Sequence, residues 1–161
     1  MKMFQPFMIS VLAGLCLVGI TTAQSPSSQP QTEAEAVRQV LLDNARAFEK
    51  GDLAALERFW ANDEKLTVFE GGHINTGWID YRDHHLKPEL KELKEVWYSL
   101  SNLHVHLAGT TAWATFEYAI SGTTGKELFQ GGGLGTAILE KREGRWRIVH
   151  WHSSNKPKKR T

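Results

Sequence analysis

From Glu95 onward the chain alternates apolar and polar residues through four long runs: EVWYSLSNLHVHLAG, TTAWATFEYAISG, ELFQGGGLGTAILEKR and GRWRIVHWHSS. A period of two is the pattern of a β-strand with one face buried. Gly109-Thr110 and KREGR are short enough to be hairpin turns, and SGTTGKE joins the middle pair. Four such strands form an antiparallel sheet, and that sheet needs something to cover its apolar face. Gly131, Gly132 and Gly133 lie inside the third run and predict a bulge or sharp bend there.

The cover comes from the preceding residues. Thr32 with Glu35 forms a capping box, and Val37, Val40, Leu41, Asn44 and Phe48 recur at helical spacing up to the stop at Gly51. Asp52 caps a second short helix that buries Leu53, Leu56, Phe59 and Trp60. KLTVFEGGHINTGW reads as two short strands about Gly71-Gly72. Asp80 is positioned to cap a third helix, YRDHHLKPELKEL, with Ile79, Leu86, Leu90 and Leu93 as its apolar face and a kink or restart at Pro88. At about 100° per residue, His85 falls on the flank of that face and His84 nearly opposite it. Helices followed by a sheet make an α+β fold with the helices on one sheet face.

Residues 1–23 read as a signal peptide: Lys2, an apolar run of 13 over residues 8–20, and small residues before cleavage after Ala23. The run is too short for a stable membrane anchor. A lipid anchor at Cys16 would need a small residue where Leu15 stands. Cleavage leaves 138 of 161 residues, one domain's worth, with 18 basic and 18 acidic side chains and no cysteine. Export is therefore expected. The balanced charge gives no reason to expect a nucleic-acid partner. Residues 24–31 are Ser/Pro/Gln-rich and read as a disordered leader, 32–154 as the domain, and 155–161 as a basic flexible tail.

The element order, with GWIDYRDHHLKPEL, AWATFEYAISG and GRWRIVHWHSS, resembles the SnoaL-like branch of the nuclear-transport-factor-2-like superfamily, which includes ketosteroid isomerase. The resemblance covers about residues 32–154. It implies a cone in which N-terminal helices pack on a strongly bent antiparallel sheet around an internal pocket, and it makes a homodimer the expected state. The same cone serves enzymes and non-enzymatic association domains, so function has to be argued from the site.

Alternation on the last strand places Trp146, Ile148, His150 and His152 on one face, and the apolar pair suggests that this face points inward. His104 and His106 alternate with Leu103, Val105 and Leu107, which favours an outer or dimer-facing side for both histidines. Glu117 is a carboxylate set in an aromatic strand, where burial would demand a partner such as a last-strand histidine. The first reading is acid/base chemistry on a small, largely apolar ligand, as in an isomerase or cyclase. His152, Glu117 and His85 are its catalytic candidates, and Tyr81 or Tyr118 would donate to a developing oxyanion. His84, Trp97, His150 and Trp151 join the two tyrosines as ligand-binding candidates. The ketosteroid isomerase set of aspartate, tyrosine and protonated acid has no position-for-position match here. A divalent-metal site from His150, His152, His85 and Glu117 is the weaker alternative, because no tight histidine motif is present. A third reading is a non-catalytic pocket or association domain, with Trp60, Trp78, Trp97 and Trp151 lining the pocket or dimer face. No cofactor or resident metal is implied.

Overall fold

The computed structural model describes residues 32–156, so the signal-peptide and leader assignments and residues 157–161 lie outside the described part. No helix among the described residues is long and apolar enough to cross a membrane.

Helix α1 (Glu33–Glu49) starts where Thr32 Oγ1 accepts from the Glu35 N–H at 3.2 Å, and it buries Val37, Leu41 and Asn44. Helix α2 (Leu53–Glu57) is capped by Asp52, which accepts from the Ala55 N–H at 2.9 Å. Strands β1 (Thr67–Glu70) and β2 (His73–Thr76) form a hairpin. Its central residues, Gly71 and Gly72, have φ of 59° and 84°, the left-handed pair that a tight hairpin requires.

Helix α3 (Trp78–Tyr81) runs through a π-helical turn, Arg82–Leu86, into α4 (Lys87–Glu92). Asp80 does not cap this segment as expected. The helix begins three residues earlier, after Gly77, and the Asp80 carboxylate accepts from the Thr76 N–H and the Asn75 amide, tying helix to strand. The α-helix restarts at Lys87 with Pro88 in the first turn of α4, directly after the π-helical turn. The early start also turns the apolar face. Ile79 is 54% exposed, while Trp78, Tyr81 and Leu86 are buried.

The remaining strands are β3 (Leu93–Ala108), β4 (Thr111–Thr124), β5 (Glu127–Arg142) and β6 (Arg145–Asn155). They form one six-stranded sheet in the order β2-β1-β6-β5-β4-β3. Strands β3 to β6 pair antiparallel, but β1 joins β6 in parallel, so the sheet is mixed rather than wholly antiparallel. Alternation marks out each strand but carries no information on which way the hairpin docks against β6.

Of the bulge or sharp bend expected at Gly131–Gly133, the bulge is absent: β4 and β5 stay in register through Tyr118↔Gly133 and Ile120↔Gly131. The glycines serve close approach instead. A Cβ on Gly133 would overlap the Ser154 carbonyl oxygen. Helix α1 packs on β3 and β6, and one core joins Leu41, Leu56, Trp60, Phe116, Leu139 and Ile148 on the helix-covered face.

Candidate functional site

The last strand departs from simple alternation at one residue. Ile138 pairs with His150 and Leu139 with Ile148, which leaves Val149 without a partner. This bulge exchanges the two faces. Trp146 and Ile148 point into the core, but beyond the bulge it is Trp151 and Ser153 that are buried. The inward placement expected for His150 and His152 is therefore corrected: both lie on the outer face. Phe69 packs edge-on to the two rings at 5.2 and 6.0 Å. His150 Nδ1 meets Thr67 Oγ1 at 2.6 Å, and burial, then the neighbouring His152, lowers its pKa.

On the inner face, α1, the α3–α4 segment and the sheet enclose a cavity of about 460 Å³. Phe48, Trp60, Tyr81, Tyr98, Tyr118, Phe129 and Trp151 make its aromatic wall. A polar group interrupts that wall. Glu70, the last residue of β1, accepts from the Tyr81 hydroxyl at 3.2 Å and the Ser153 hydroxyl at 3.1 Å. His85 Nε2 lies 3.6 Å from Glu70 and 3.9 Å from Glu89.

The histidine's orientation follows from its neighbours. The Asn75 amide nitrogen donates to Asp80 at 2.9 Å, so its carbonyl oxygen is the atom facing His85 Nδ1 at 3.1 Å. In the neutral ring this assigns the proton to Nδ1 and leaves the Nε2 lone pair facing the two carboxyl groups. The hydrogen bond from Asn75, then those from His84 and the Thr76 N–H, keep the Asp80 carboxyl below its ordinary range, so it acts as a fixed acceptor.

Burial, with the charge of Glu70 and then of Glu92, pushes the Glu89 carboxyl up to about 7. A group with that value can give or take a proton near neutral pH. Burial first, and then Glu70, raises the Tyr81 and Tyr98 hydroxyls well above their usual range. Both stay neutral and able to donate. Tyr118, raised for the same reasons, donates to Asn155 at 2.8 Å.

Of the candidates read from sequence, His85, Tyr81, Tyr118 and Trp151 line this cavity. Glu117 faces the other way. Its side chain is 38% exposed, bonded to Asn102 and paired with Lys156, because the even-numbered residues of β4 are the inward ones. Trp97 is 52% exposed, following a register shift in β3 between Lys94 and Trp97. His84 is also exposed, bonds to Asp80, and lines a separate, open hollow on the far side of His85 and Glu89. His104 and His106 pair with Thr115 and Trp113 on the outer face. Among the described residues no group of three or more His, Cys, Asp or Glu side chains is placed to hold a metal ion.

Glu70, Glu89, Asn75, Tyr98 and Ser153 do not stand out in the sequence as site residues. Glu89 comes four residues after His85, a spacing that puts two side chains on one helical face, so a signal was present. Glu70 borders a glycine turn and looks like an ordinary turn residue.

Residues 37–157 match the sequence family described as SnoaL-like domain. No curated protein matches the chain. Among solved structures, a nuclear transport factor 2-like superfamily protein from Salmonella enterica shares 16% identity at a TM-score of 0.71, covering 76% of this chain and 90% of that one. An NTF2-like family protein from Streptomyces avermitilis, to which dehydratase activity is ascribed, shares 19% at 0.72, covering 81% of this chain and 100% of that one. The CaMKII hub of S. rosetta shares 21% at 0.65, covering 80% and 100%. At such identities the likeness is one of fold, and that fold is the NTF2-like cone, with the cavity on its inner face. The chain belongs to the SnoaL-like domain family.

Proposed function

We propose that the cavity binds a small, largely apolar molecule and that Glu89, with His85, moves a proton on it. The observation that carries this reading is the convergence of Glu70 and Glu89 on one histidine nitrogen inside an aromatic enclosure. Glu70 is fixed by two hydroxyl donors, whereas the Glu89 carboxyl makes no hydrogen bond among the described residues, so Glu89 is the group with room to exchange its proton. Tyr98 is a neutral donor on the same wall and suits an oxygen that gains charge as a carbon loses its proton, whereas the Tyr81 hydroxyl is engaged with Glu70. The chemistry is that of an isomerase or dehydratase, and the activity ascribed to the Streptomyces relative is consistent with it. A non-catalytic binding pocket is the competing outcome.

The test is hydrogen–deuterium exchange. A panel of enolisable ketones is incubated with the protein in D₂O and followed by proton NMR. Exchange above the buffer rate is expected for the wild type and not for Glu89→Gln. Its rate should rise with pH and level off above about 7, as the base form fills. Exchange that is the same in Glu89→Gln would refute the assignment.

The outer face supports self-association. Trp113, Leu134 and Phe69 are 43%, 58% and 37% exposed, and Trp113 stacks on His106 at 5.0 Å. We place the homodimer there; light scattering should report a dimer that Trp113→Glu disrupts. Export stands on the apolar run before Ala23, and N-terminal sequencing of the exported protein should begin at Gln24.

A further inference from the structure

The charge of the cavity narrows its ligand further. This inference rests on the cavity being the functional site and goes beyond that reading in naming the class of molecule bound. Glu70 and Glu89 both border the enclosed space, and among the described residues no lysine or arginine lines it. His73 and His85 are the imidazoles on its wall; His85 lies beside the two acids, and its Nδ1 is already held by Asn75. An anionic ligand would meet two acids and no fixed cation.

The aromatic wall adds a second, independent preference. Ring faces carry negative potential and attract cations, most strongly where water is excluded. Tyr98 lies between Phe48 and Tyr118, with ring centroids at 5.3 and 6.1 Å. Its hydroxyl opens on the cavity and makes no hydrogen bond among the described residues, which leaves an oxygen free to accept from an N–H donor. Trp60 and Trp151, with ring centroids 5.9 Å apart, add two more rings to the lining.

We propose that the cavity binds an organic cation, a protonated or quaternary amine on an aromatic or aliphatic body, with the ammonium beside Glu70 and Glu89 and the body against the aromatic wall.

Such binding has a consequence for Glu89. The ionisable groups that face it are Glu70 from β1, His73 from β2, Tyr81 and His85 from the helical segment, Tyr98 from β3, and Glu92 on its own helix. In the empty cavity, burial and the charge of Glu70 keep the proton on about half of the Glu89 carboxyls near pH 7. A cation between the two carboxyl groups offsets that repulsion, so Glu89 ionises and its proton leaves to solvent as the ligand enters. The incoming ligand thereby produces the carboxylate that the proton-transfer reading requires.

Isothermal titration with three probes of similar size tests this: 2-phenylethylammonium, 2-phenylethanol and 3-phenylpropanoate. The ammonium should bind at least about tenfold tighter than the alcohol, a difference of about 1.4 kcal/mol, and the propanoate should bind most weakly. Near pH 7 the heat should vary with the ionisation enthalpy of the buffer, reporting proton release, and ammonium affinity should rise between about pH 6 and pH 8. In Glu89→Gln the proton release should vanish and the ammonium preference shrink, while retained alcohol binding shows that the cavity is intact. If that variant does not fold, the wild-type comparison decides alone. Ammonium binding no tighter than the alcohol, or none at millimolar concentration, overturns the proposal. Ketone exchange without an ammonium preference would overturn the cation inference and leave the proton-transfer reading standing; an ammonium preference without exchange would do the reverse.

Discussion

Replacing Glu89 by glutamine should change how stability depends on pH, in a direction opposite to that of most carboxylates. The folded protein holds the Glu89 proton up to about 7, against an ordinary value of 4.5. A raised carboxyl favours the fold while protonated, so its contribution is complete below about pH 4.5 and is lost as pH rises through 7. The full difference of about 2.5 units corresponds to roughly 3.4 kcal/mol at 1.36 kcal/mol per unit. Because the side chain is 33% exposed, solvent screening reduces this to about 2 kcal/mol. Urea unfolding at about pH 5 and pH 8 measures it. The wild type should lose about 1.5 kcal/mol over that interval relative to Glu89→Gln, whose amide mimics the neutral acid and does not titrate, the remainder having been lost by pH 5. Glutamine should therefore stabilise the protein at the higher pH. Parallel pH profiles for the two proteins would refute both the raised value and the role given to Glu70 in raising it.

Packing supplies the other tests. Gly133→Ala should cost more than about 3 kcal/mol or prevent folding, since its Cβ would collide with the Ser154 carbonyl; thermal unfolding checks it. Trp60→Phe removes the indole N–H that donates to the buried Asn44 carbonyl oxygen at 2.8 Å, and should destabilise by about 1–3 kcal/mol in urea. His152→Ala and Glu117→Ala remove outer-face side chains, so titration should find cavity binding unchanged in both and stability within about 0.5 kcal/mol.

Local chemistry was well recorded in the sequence. The Thr32 and Asp52 caps and the Gly71-Gly72 hairpin each arise from residues a few positions apart. Alternation also separated Glu117 from Ala112, Ala114 and Phe116, but the face expected to point inward was that of Glu117, and the structure buries the other. His85 was legible as the caps were, because its angle on a helix needs no knowledge of the rest of the chain. The parallel docking of β1 on β6 was not, since pairing between residues as distant as Thr67 and His150 leaves no local trace. Nor could any short window show that Glu70 and Glu89 meet. Their burial depends on a strand end and a helix brought together by the fold, and a carboxylate beside a glycine turn reads as solvated until something covers it.

The unpaired Val149 has the effect of a shifted reading frame within the strand. One added residue reassigns every later side chain at once, sending His150 and His152 outward and bringing Trp151 and Ser153 to the cavity, with the letters of the final segment unchanged. A relative that lacked the extra residue would present the opposite set from the same final sequence. Chemistry inferred from this strand in any such protein therefore has to be counted from the strand pairing and not from the motif, and shortening the strand by this one position would be a direct way to exchange the Trp151 indole and the Ser153 hydroxyl for a pair of imidazoles.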